Sequence, residues 1–568
     1  MEGRISRFFF CLVISVFCLT GNEAKISDSL KVQLPHGGGV IGRYFSSFRG
    51  HGIRAFMGIP YAEAPIGNLR FHDPVPKRPW IGFKETTSNK VVCSQIYEDK
   101  GMDVLAGKED CLYLDVYVPQ YPATDKLLSI MVFFHGGGWN DGSASFYGPQ
   151  FFLDHDVILV IGNYRLNALG FLTTNTTAST GNYGFKDQVE TLNWIQQNIV
   201  AFGGNKEEVT IFGESAGGAS VTYLMEFAAE RGLFHRAIAQ SGTYFDSWAR
   251  VLDTATIIER TKKYTKELRC SLVDEKWDDV IECLREKPIY DLMISTKVLN
   301  IWGSNPLNKF PPTVEYDRKD GFITDYPENI KENPSTKIPL MIGINKDEGV
   351  LQAASILGNK KYRDDLEVKW SQLLPLLLDY DYVEKEKQRN ITDAITNFYF
   401  EDTSRSPYKN PQNIIDLFTD FTFFKGFNKY LRFRFEDESV AETFVYFFTH
   451  SADGTFSDFF FKPLDINYGV SHCDELLYLF PLLHKAPFKS APNKEDILVQ
   501  ETLVKLWVNF ATTGKPTPAG SVDFDWTPTK KFPLDYLRIG SYKEPNKTIF
   551  GMETDLWRER TEFLKNIF

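Results

Sequence analysis

The chain has 568 residues, of which 43% are hydrophobic, 15% aromatic and 24% charged, a composition typical of a globular protein that buries a large core. This composition excludes an intrinsically disordered chain, a collagen helix and a coiled coil. The net charge of -11 comes from interspersed acidic and basic residues without a basic stripe, and it argues against nucleic acid or an anionic membrane surface as a partner.

The N-terminal segment has the pattern of a secretory signal peptide. Arg4 and Arg7 precede an apolar run from Phe8 to Thr20, and small or polar residues follow it at positions 21–24. The run is shorter than the roughly 20 apolar residues that a membrane-spanning helix needs, and no second such run follows. We therefore expect residues 1–24 to be cleaved and the protein to be secreted, since the C-terminus carries no ER-retention or lipid-anchor signal.

The seven cysteines fit export into an oxidising compartment. Two of them lie in the predicted signal peptide, and Cys473 has no close neighbour in the sequence. The other four form two short-range couples, Cys93 with Cys111 and Cys270 with Cys283. Four cysteines allow three disulfide connectivities, so the pairing of sequence neighbours is a hypothesis that rests on proximity.

Three acceptor sequons for N-linked glycosylation occur in the chain. They begin at Asn175, Asn390 and Asn546. Because a glycan is bulky and hydrophilic, each of these asparagines is predicted to lie at the surface.

The middle of the chain alternates between short apolar runs, which predict buried strands, and apolar residues at helical spacing. The predicted strands are 128–134, 157–161, 209–212, 236–240, 339–344 and 443–449, and the predicted helices are 189–201, 215–230 and 495–510. Such alternation is typical of a doubly wound, mainly parallel sheet. Segments 248–325 and 370–400 lack it and are predicted to be helical and loop insertions. No linker, repeat or low-complexity tract divides the chain, so we expect residues 25–568 to form one domain.

The pentapeptide Gly213-Glu214-Ser215-Ala216-Gly217 matches the G-x-S-x-G elbow that presents a nucleophilic serine. The pentapeptide alone is a weak signal, because it arises by chance in many chains of this length. Here a predicted strand precedes it and a predicted helix follows, and this order pushes the serine hydroxyl out at the edge of the sheet. Glycines flank the serine because the sharp turn leaves no room for side chains. Ser215 is therefore the candidate nucleophile.

A second glycine-rich segment, His135-Gly136-Gly137-Gly138-Trp139, directly follows the predicted strand 128–134. Attack on an ester carbonyl creates an oxyanion, which needs backbone N–H donors already aimed at it. Esterases and lipases supply such donors from a glycine loop in this position of the chain. We expect this segment to contribute to an oxyanion hole and His135 itself to be structural.

A serine hydroxyl also needs an imidazole base, and the imidazole needs a carboxylate that orients it. In enzymes with this elbow the acid and the histidine follow the serine in that order. His472, in the loop after a late strand, is the best placed of nine histidines. Glu348 follows the strand 339–344 and is the candidate acid, although the spacing does not exclude its neighbour Asp347.

Together, these motifs resemble the type-B carboxylesterase and cholinesterase family over nearly all of the mature chain. The matching segments are 58–62, 69–71, 109–114, 135–139, 163–165, 181–182, 187–188, 212–218, 240–242, 347–349 and 469–475. The resemblance implies an α/β-hydrolase fold, in which helices flank a central, mostly parallel twisted sheet and large helical and loop insertions extend it.

The resemblance also implies roles for individual residues. It makes Ser215 the nucleophile, Glu348 the acid and His472 the base. The remaining implied roles are an oxyanion hole from the N–H groups of Gly137, Gly138 and Ala216, a polar cluster of Glu214, Glu475 and Ser241 beside these residues, an Arg165–Asp187 ion pair, an acyl-pocket aromatic at Trp248, and the disulfides Cys93–Cys111 and Cys270–Cys283.

Some residues depart from specialised branches of that family. The loop between Cys93 and Cys111 contains no tryptophan, so recognition of a quaternary ammonium group by an aromatic face is unsupported there. Juvenile hormone esterases usually have glutamine where this chain has Glu214, which argues against hormone clearance. Cys473 is interpreted as a small buried thiol. We expect most of the late phenylalanines to be core residues, although they could line a gorge: Phe421, Phe423, Phe424, Phe447 and Phe448.

The sequence thus predicts a secreted serine hydrolase of small carboxylic esters with broad specificity. No metal or organic cofactor is expected, because neither an H-E-x-x-H zinc helix nor a G-x-x-x-x-G-K-[ST] phosphate loop is present. The alternatives are a hormone esterase, a lipase and, from another class, an adhesion-type binding protein of the same fold. The oligomeric state is left open.

Overall fold

A computed structural model describes residues 28–99, 101–315, 319, 321–330, 334–400, 410–451, 455–456, 468–482, 492–540 and 548–567. The predicted signal peptide and the sequon at Asn546 lie outside these ranges.

Sixteen strands are found in the described ranges. They are β1 (Lys31–Gln33), β2 (Gly39–Ile41), β3 (Arg43–Ser46), β4 (Gly52–Pro60), β5 (Phe83–Glu85), β6 (Gln95–Asp99), β7 (Met102–Ala106), β8 (Tyr113–Pro119), β9 (Leu128–Phe134), β10 (Ile158–Gly162), β11 (Gly204–Glu214), β12 (Arg236–Gln240), β13 (Leu340–Asn345), β14 (Thr443–Phe448), β15 (Asp535–Ile539) and β16 (Phe550–Thr554).

The α-helices of the same ranges surround and extend the strands. They are α1 (Asn167–Phe171), α2 (Tyr183–Asn198), α3 (Ala216–Ala228), α4 (Thr254–Glu267), α5 (Trp277–Arg285), α6 (Ile289–Ile294), α7 (Val350–Leu357), α8 (Lys360–Val368), α9 (Trp370–Leu377), α10 (Lys385–Tyr399), α11 (Pro411–Thr419), α12 (Lys425–Arg434), α13 (Leu476–Leu479), α14 (Lys494–Thr513) and α15 (Arg558–Asn566). None of them is long and apolar enough to cross a lipid bilayer.

Eleven of the strands form one sheet in the order β16-β15-β14-β13-β12-β11-β9-β10-β8-β4-β3. The strands from β15 to β10 pair in parallel, whereas the strands at both edges pair antiparallel. Two small sheets, β1-β2-β5 and β6-β7, lie apart from it. This architecture is the α/β-hydrolase fold that the sequence predicts.

The central strands are buried on both faces, which explains why they appear in the sequence as continuous apolar runs. All seven residues of β9 are buried. Its side chains alternate between two hydrophobic clusters, with Ile130, Val132 and Phe134 in one and Met131 and Phe133 in the other. The sheet therefore separates two cores, each covered by helices.

The predicted central strands are all present, and except in β11 their ends differ from the predicted ends by at most one residue. That strand begins five residues earlier than predicted, and its pairing with β9 shifts register between Gly204 and Val209. Helix α2 likewise begins at Tyr183, six residues before the predicted start. The first predicted insertion contains α4 to α6 together with long loops, and the second consists largely of α9 and α10.

Candidate active site

Ser215 lies at the junction of β11 and α3, at the carboxyl edge of the parallel strands. Its backbone has φ +58° and ψ -123°, a conformation that few non-glycine residues adopt. The Ser215 N–H donates to the carbonyl of Gln240 over 2.8 Å, which anchors the turn to β12. A Cβ atom on Gly217 would lie only 1.9 Å from the carbonyl oxygen of Phe134. The elbow therefore requires glycine at that position.

The glycine loop after β9 packs directly against this elbow. A Cβ atom on Gly136 would lie 3.0 Å from the Cβ of Ser215. Gly137 and Gly138 have φ values of +106° and +60°, which glycine adopts without strain. Trp139 is buried and its indole N–H donates to Ser220 Oγ over 2.9 Å, which ties the loop to α3. The predicted oxyanion-hole residues Gly137 and Gly138 thus follow the residue that packs against the elbow, and Ala216 is the first residue of α3.

His472 and Glu348 form a buried pair beside the elbow. His472 Nδ1 and Glu348 Oε2 are 2.6 Å apart, and the side chains are 2% and 0% exposed. The other carboxylate oxygen of Glu348 accepts the backbone N–H of Asn345 over 2.7 Å. Since Nδ1 faces the carboxylate, Nε2 is the nitrogen left for proton transfer.

Nε2 of His472 has no hydrogen-bond partner in the described part of the chain. Its neighbour is Glu214 Oε1 at 3.2 Å. The structure therefore contains no hydrogen bond between Ser215 and His472. Contacts of this type commonly tighten only when substrate is bound.

Asp347, the alternative acid, has a different role in the structure. Its Oδ2 accepts the backbone N–H of Val470 over 2.9 Å, and its Oδ1 accepts the side-chain N–H of Gln412 over 2.9 Å. The Asp347 N–H in turn donates to the carbonyl of Val470. Asp347 thus holds the loop that carries His472, whereas Glu348 contacts the imidazole.

Glu475 lies within a network of buried amides behind His472. It accepts Gln240 Nε2 over 2.8 Å and Asn345 Nδ2 over 2.6 Å. Gln240 Oε1 in turn accepts the indole N–H of Trp507 over 3.0 Å. Our sequence analysis assigned no role to Gln240 and Asn345. Both are polar residues at the carboxyl ends of buried strands, and this position in the sequence could have indicated that they belong to the site.

Two further polar residues of this region have left-handed backbones. Cys473 has φ +69°, and its Sγ lies 2.9 Å from Glu214 Oε1. Ser241 has φ +48° and is buried, and its N–H donates to the carbonyl of Gly343 over 2.9 Å. Ser241 therefore lies in the turn that follows β12, next to the elbow.

Burial and charge set the protonation of the site. Burial raises the pKa of Glu214 to about 8 and also raises the pKa of Glu475. Burial alone would lower the pKa of His472, but the carboxyl groups of Glu214 and Glu348 outweigh it and raise that pKa to about 9. Burial lowers the pKa of His135 to about 4, and its ring stacks on Tyr164 at 4.4 Å. His135 is therefore a neutral packing residue.

The aromatic residues around the site divide into two groups. Trp248 packs 5.8 Å from Trp139 and 6.1 Å from Phe423, and Phe423 lies 4.5 Å from the imidazole of His472. The other late phenylalanines pack in the core, as expected for most of them: Phe421, Phe424, Phe447 and Phe448.

An open cavity adjoins Trp248. Leu307, Asn308 and Gln352 contribute to its wall. The carbonyl of Leu307 accepts Asn140 Nδ2 over 2.8 Å, so this wall is tied to the glycine loop. The cavity therefore adjoins the glycine loop through Leu307, while neither Ser215 nor His472 lines it.

The remaining residues singled out in the sequence lie away from the reaction centre. Arg165 and Asp187 form a buried, bidentate ion pair with N–O distances of 2.7 and 2.8 Å. Asn175 is half-buried and Asn390 is exposed. The structure contains the disulfides Cys93–Cys111 and Cys270–Cys283.

A serine at a strand–turn–helix elbow, beside a glycine loop and a buried histidine–carboxylate pair, places this protein among the α/β-hydrolases. The sequence matches the Carboxylesterase family over residues 28–561. Esterase FE4 of Myzus persicae is 35% identical over 538 residues, which cover 93% of this chain and 92% of that protein. Juvenile hormone esterase of Tribolium castaneum is 33% identical, with coverages of 93% and 92%.

Two further comparisons extend this result. Carboxylesterase 1D of Rattus norvegicus is 32% identical over 531 residues, 89% of either chain. The crystal structure of juvenile hormone esterase from Manduca sexta, with OTFP covalently attached, superposes with a TM-score of 0.80 at 25% identity and covers 95% of this chain and 99% of that one. The chain therefore belongs to the carboxylesterase family and is a carboxylic ester hydrolase.

Proposed function

We propose that this protein is a secreted serine esterase that hydrolyses small carboxylic esters through an acyl-enzyme. The observation that carries the proposal is the buried pair of His472 Nδ1 and Glu348 Oε2, 2.6 Å apart, beside the strained elbow of Ser215. In its neutral form, an imidazole whose Nδ1–H is held by a carboxylate is the base that a serine hydroxyl needs, so the raised pKa of His472 makes the proposed activity increase towards alkaline pH.

The reaction proceeds in two halves. Ser215 Oγ attacks the ester carbonyl while His472 Nε2 takes its proton, and Glu348 stabilises the imidazolium that forms. The N–H groups of Gly137, Gly138 and Ala216 stabilise the oxyanion, and the imidazolium then protonates the departing alcohol. In the second half, water attacks the acyl-enzyme by the same route and releases the acid and the free serine.

Export is supported by two independent features. Residues 1–24 have the pattern of a cleaved signal peptide. The described chain also contains two disulfides, which persist in oxidising compartments and are rare in the cytosol. We accordingly propose residues 25–568 as the secreted, single-domain enzyme, with glycans at Asn175, Asn390 and Asn546.

Broad specificity is supported by the absence of the specialists' signatures. The segment between Cys93 and Cys111 has no tryptophan for a quaternary ammonium group. The cavity beside Trp248 has a mixed lining, which includes the apolar Leu307, the polar Gln352 and the charged Arg250. Substrates with dietary, odorant or xenobiotic origin fit this description.

The test of this proposal is hydrolysis of a p-nitrophenyl ester series from acetate to decanoate by the secreted protein. Ser215→Ala is expected to lower kcat by at least about 10⁴-fold. The matched control is Ser371→Ala, which changes an exposed serine of α9 and is expected to retain wild-type activity. A folded wild-type protein inactive on every ester, or an active Ser215→Ala, would refute the serine-esterase mechanism.

A hormone esterase is the second candidate, because two of the similar proteins are named juvenile hormone esterases. Glu214 stands at the position where that branch usually has glutamine. Comparing kcat/KM for a juvenile hormone methyl ester with kcat/KM for p-nitrophenyl butyrate separates the two candidates. A preference for the hormone of several orders of magnitude would replace the broad-specificity proposal.

A further inference from the structure

Cys473 occupies a backbone position that disfavours a side chain. Its φ of +69° lies in the left-handed region, where non-glycine residues are uncommon. The side chain is buried and is the free thiol of the described residues. Its Sγ points at Glu214 and lies 2.9 Å from Oε1 of that carboxyl group. The thiol therefore belongs to the polar cluster behind Ser215 and is not enclosed by apolar side chains alone.

Three metal-ligating side chains meet at this point. Glu214 Oε1 lies 3.2 Å from His472 Nε2, and one ligand atom from each of Glu214, His472 and Cys473 lies within 4.8 Å of the other two. An ion between three such atoms is no more than about 2.5 Å from each, which approaches the zinc bond lengths to nitrogen, oxygen and sulfur. Nε2 is buried, lacks a hydrogen-bond partner among the described residues and faces Glu214.

We propose that Glu214, His472 and Cys473 bind a thiophilic divalent metal ion such as Zn²⁺, and that the bound ion inhibits the esterase. Thiolate, imidazole and carboxylate together suit zinc, whereas calcium and magnesium prefer sites built from oxygen alone.

The chemistry of binding balances without a redox step. The Cys473 thiol, the Glu214 carboxyl group and the protonated Nε2 of His472 release their protons to solvent, and the resulting thiolate, carboxylate and Nε2 lone pair bind the ion. The two ligand anions neutralise the charge of the ion. Because the ion then occupies Nε2, His472 cannot accept the proton of Ser215. This inhibitory effect rests on the serine-esterase function proposed above, whereas the binding itself does not.

The first measurement is direct metal binding to the intact secreted protein after treatment with a chelator. Isothermal titration with Zn²⁺ is expected to show one site per chain, and Ca²⁺ is expected to show none. Titration with Co²⁺ is expected to produce the thiolate-to-cobalt charge-transfer absorption, which reports ligation by Cys473 whether or not the protein hydrolyses esters. Absence of that absorption, or of the zinc site, would overturn the proposal.

The second measurement compares zinc inhibition of the wild type and of three variants. In Cys473→Gly, which removes the ligand and suits the left-handed backbone, the zinc concentration for half-inhibition is expected to rise at least about tenfold. Cys473→Ser provides a second test that keeps a small polar side chain. His36→Ala, which removes an exposed histidine, should be inhibited like the wild type. Equal zinc sensitivity of the wild type and both Cys473 variants would contradict the site.

Discussion

Adjacent acidic residues perform different tasks at the end of β13. Glu348 Oε2 contacts His472 Nδ1, while Asp347 accepts the backbone N–H of Val470. One residue thus orients the imidazole and its neighbour orients the loop that carries the imidazole. The two substitutions should therefore differ in effect. Removing the carboxylate of Glu348 alters proton transfer by His472, whereas removing that of Asp347 alters the position of the loop that carries His472.

We predict that Glu348→Gln lowers kcat by about 10⁴-fold, because an amide cannot stabilise the imidazolium and favours the wrong tautomer. Asp347→Asn keeps an oxygen that can accept the Val470 N–H, so its loss of kcat is expected to stay below about 10²-fold. Steady-state hydrolysis of p-nitrophenyl butyrate measures both variants. If Asp347→Asn were the inactive variant and Glu348→Gln the active one, the assignment of the acid would be reversed.

The sequence predicts the residues of the candidate site except for the choice between Asp347 and Glu348 as the acid. Motif order singles out Ser215, His472 and the Asp347–Glu348 couple, because each follows a recognisable strand. Which of two adjacent carboxyl groups points at the imidazole depends on the turn conformation, and apolar periodicity carries no information on that. The link from Cys473 to Glu214 was missed for the same reason, since it depends on one left-handed backbone angle.

At the scale of elements, the elbow shows how a short motif constrains two segments of the sheet. Gly217 faces the carbonyl of Phe134 at the end of β9, so the start of α3 can approach the glycine loop only without a side chain there. The G-x-S-x-G pattern thus records a close approach between backbones. The helix and the loop are expected to separate if the second glycine is enlarged.

Gly217→Ala is predicted to destabilise the protein by about 3 kcal/mol or more, because its Cβ overlaps backbone atoms that cannot rotate away. The matched control is Gly551→Ala in β16, whose Cβ would meet the end of the Arg538 side chain at 3.2 Å. A shift of a few tenths of an ångström relieves that contact, so the control should fold normally. Urea unfolding measures both, and comparable stability of the two variants would show that the elbow tolerates a side chain.

A β-bulge explains why the family motif at residues 58–62 begins with a glycine. The register of β4 against β8 shifts between Met57 and Ile59, and the intervening Gly58 N–H donates to Asp115 Oδ1 over 2.8 Å. Asn89 and Tyr117 also donate to this carboxyl group. Burial nonetheless dominates and raises the pKa of Asp115 to about 7.

This pKa predicts a pH dependence of stability. The folded protein keeps the Asp115 proton that the unfolded chain releases near pH 4, so stability falls as the pH rises from about 4 to about 7. Between these pH values the free energy of unfolding falls by about 4 kcal/mol because of this group. Asp115→Asn should remove that pH-dependent loss while it preserves an acceptor for the Gly58 N–H. Urea unfolding at several pH values tests the slope. A variant with an unchanged slope over this window would rule out Asp115 as its source.

The boundaries of elements were less predictable than their order. Helix α2 begins at Tyr183 after Asn182, whose φ is +56°, and its first turn lacks the apolar repeat that signals a helix. Strand β11 begins at Gly204, before its register shift, in a polar stretch. In both cases tertiary packing extends an element beyond the segment that local pattern supports.

At the scale of the whole molecule, the end of the chain is coupled to the candidate site. Arg560 of α15 forms an ion pair with Asp420, a fully buried carboxyl group that also accepts the hydroxyl of Tyr399. Asp420 begins the π-helical turn Asp420–Phe424, and Phe423 of that turn packs against His472. This contact joins residues 140 positions apart, so no local sequence pattern could have revealed it.

We predict that Arg560→Ala destabilises the protein by about 3–5 kcal/mol, because it leaves Asp420 buried without a cation. It should also lower kcat/KM, since the turn that holds Phe423 against His472 loses its anchor. The control is Arg558→Ala. The Arg558 side chain is 79% exposed, so its ion pair with Asp555 stabilises the protein by at most about 1 kcal/mol. Urea unfolding and ester hydrolysis measure both effects.

A double variant tests the cause of this loss of stability. Adding Asp420→Asn to Arg560→Ala should restore part of the stability, because it removes the buried carboxylate that has lost its cation. A double variant no more stable than Arg560→Ala would argue against this coupling.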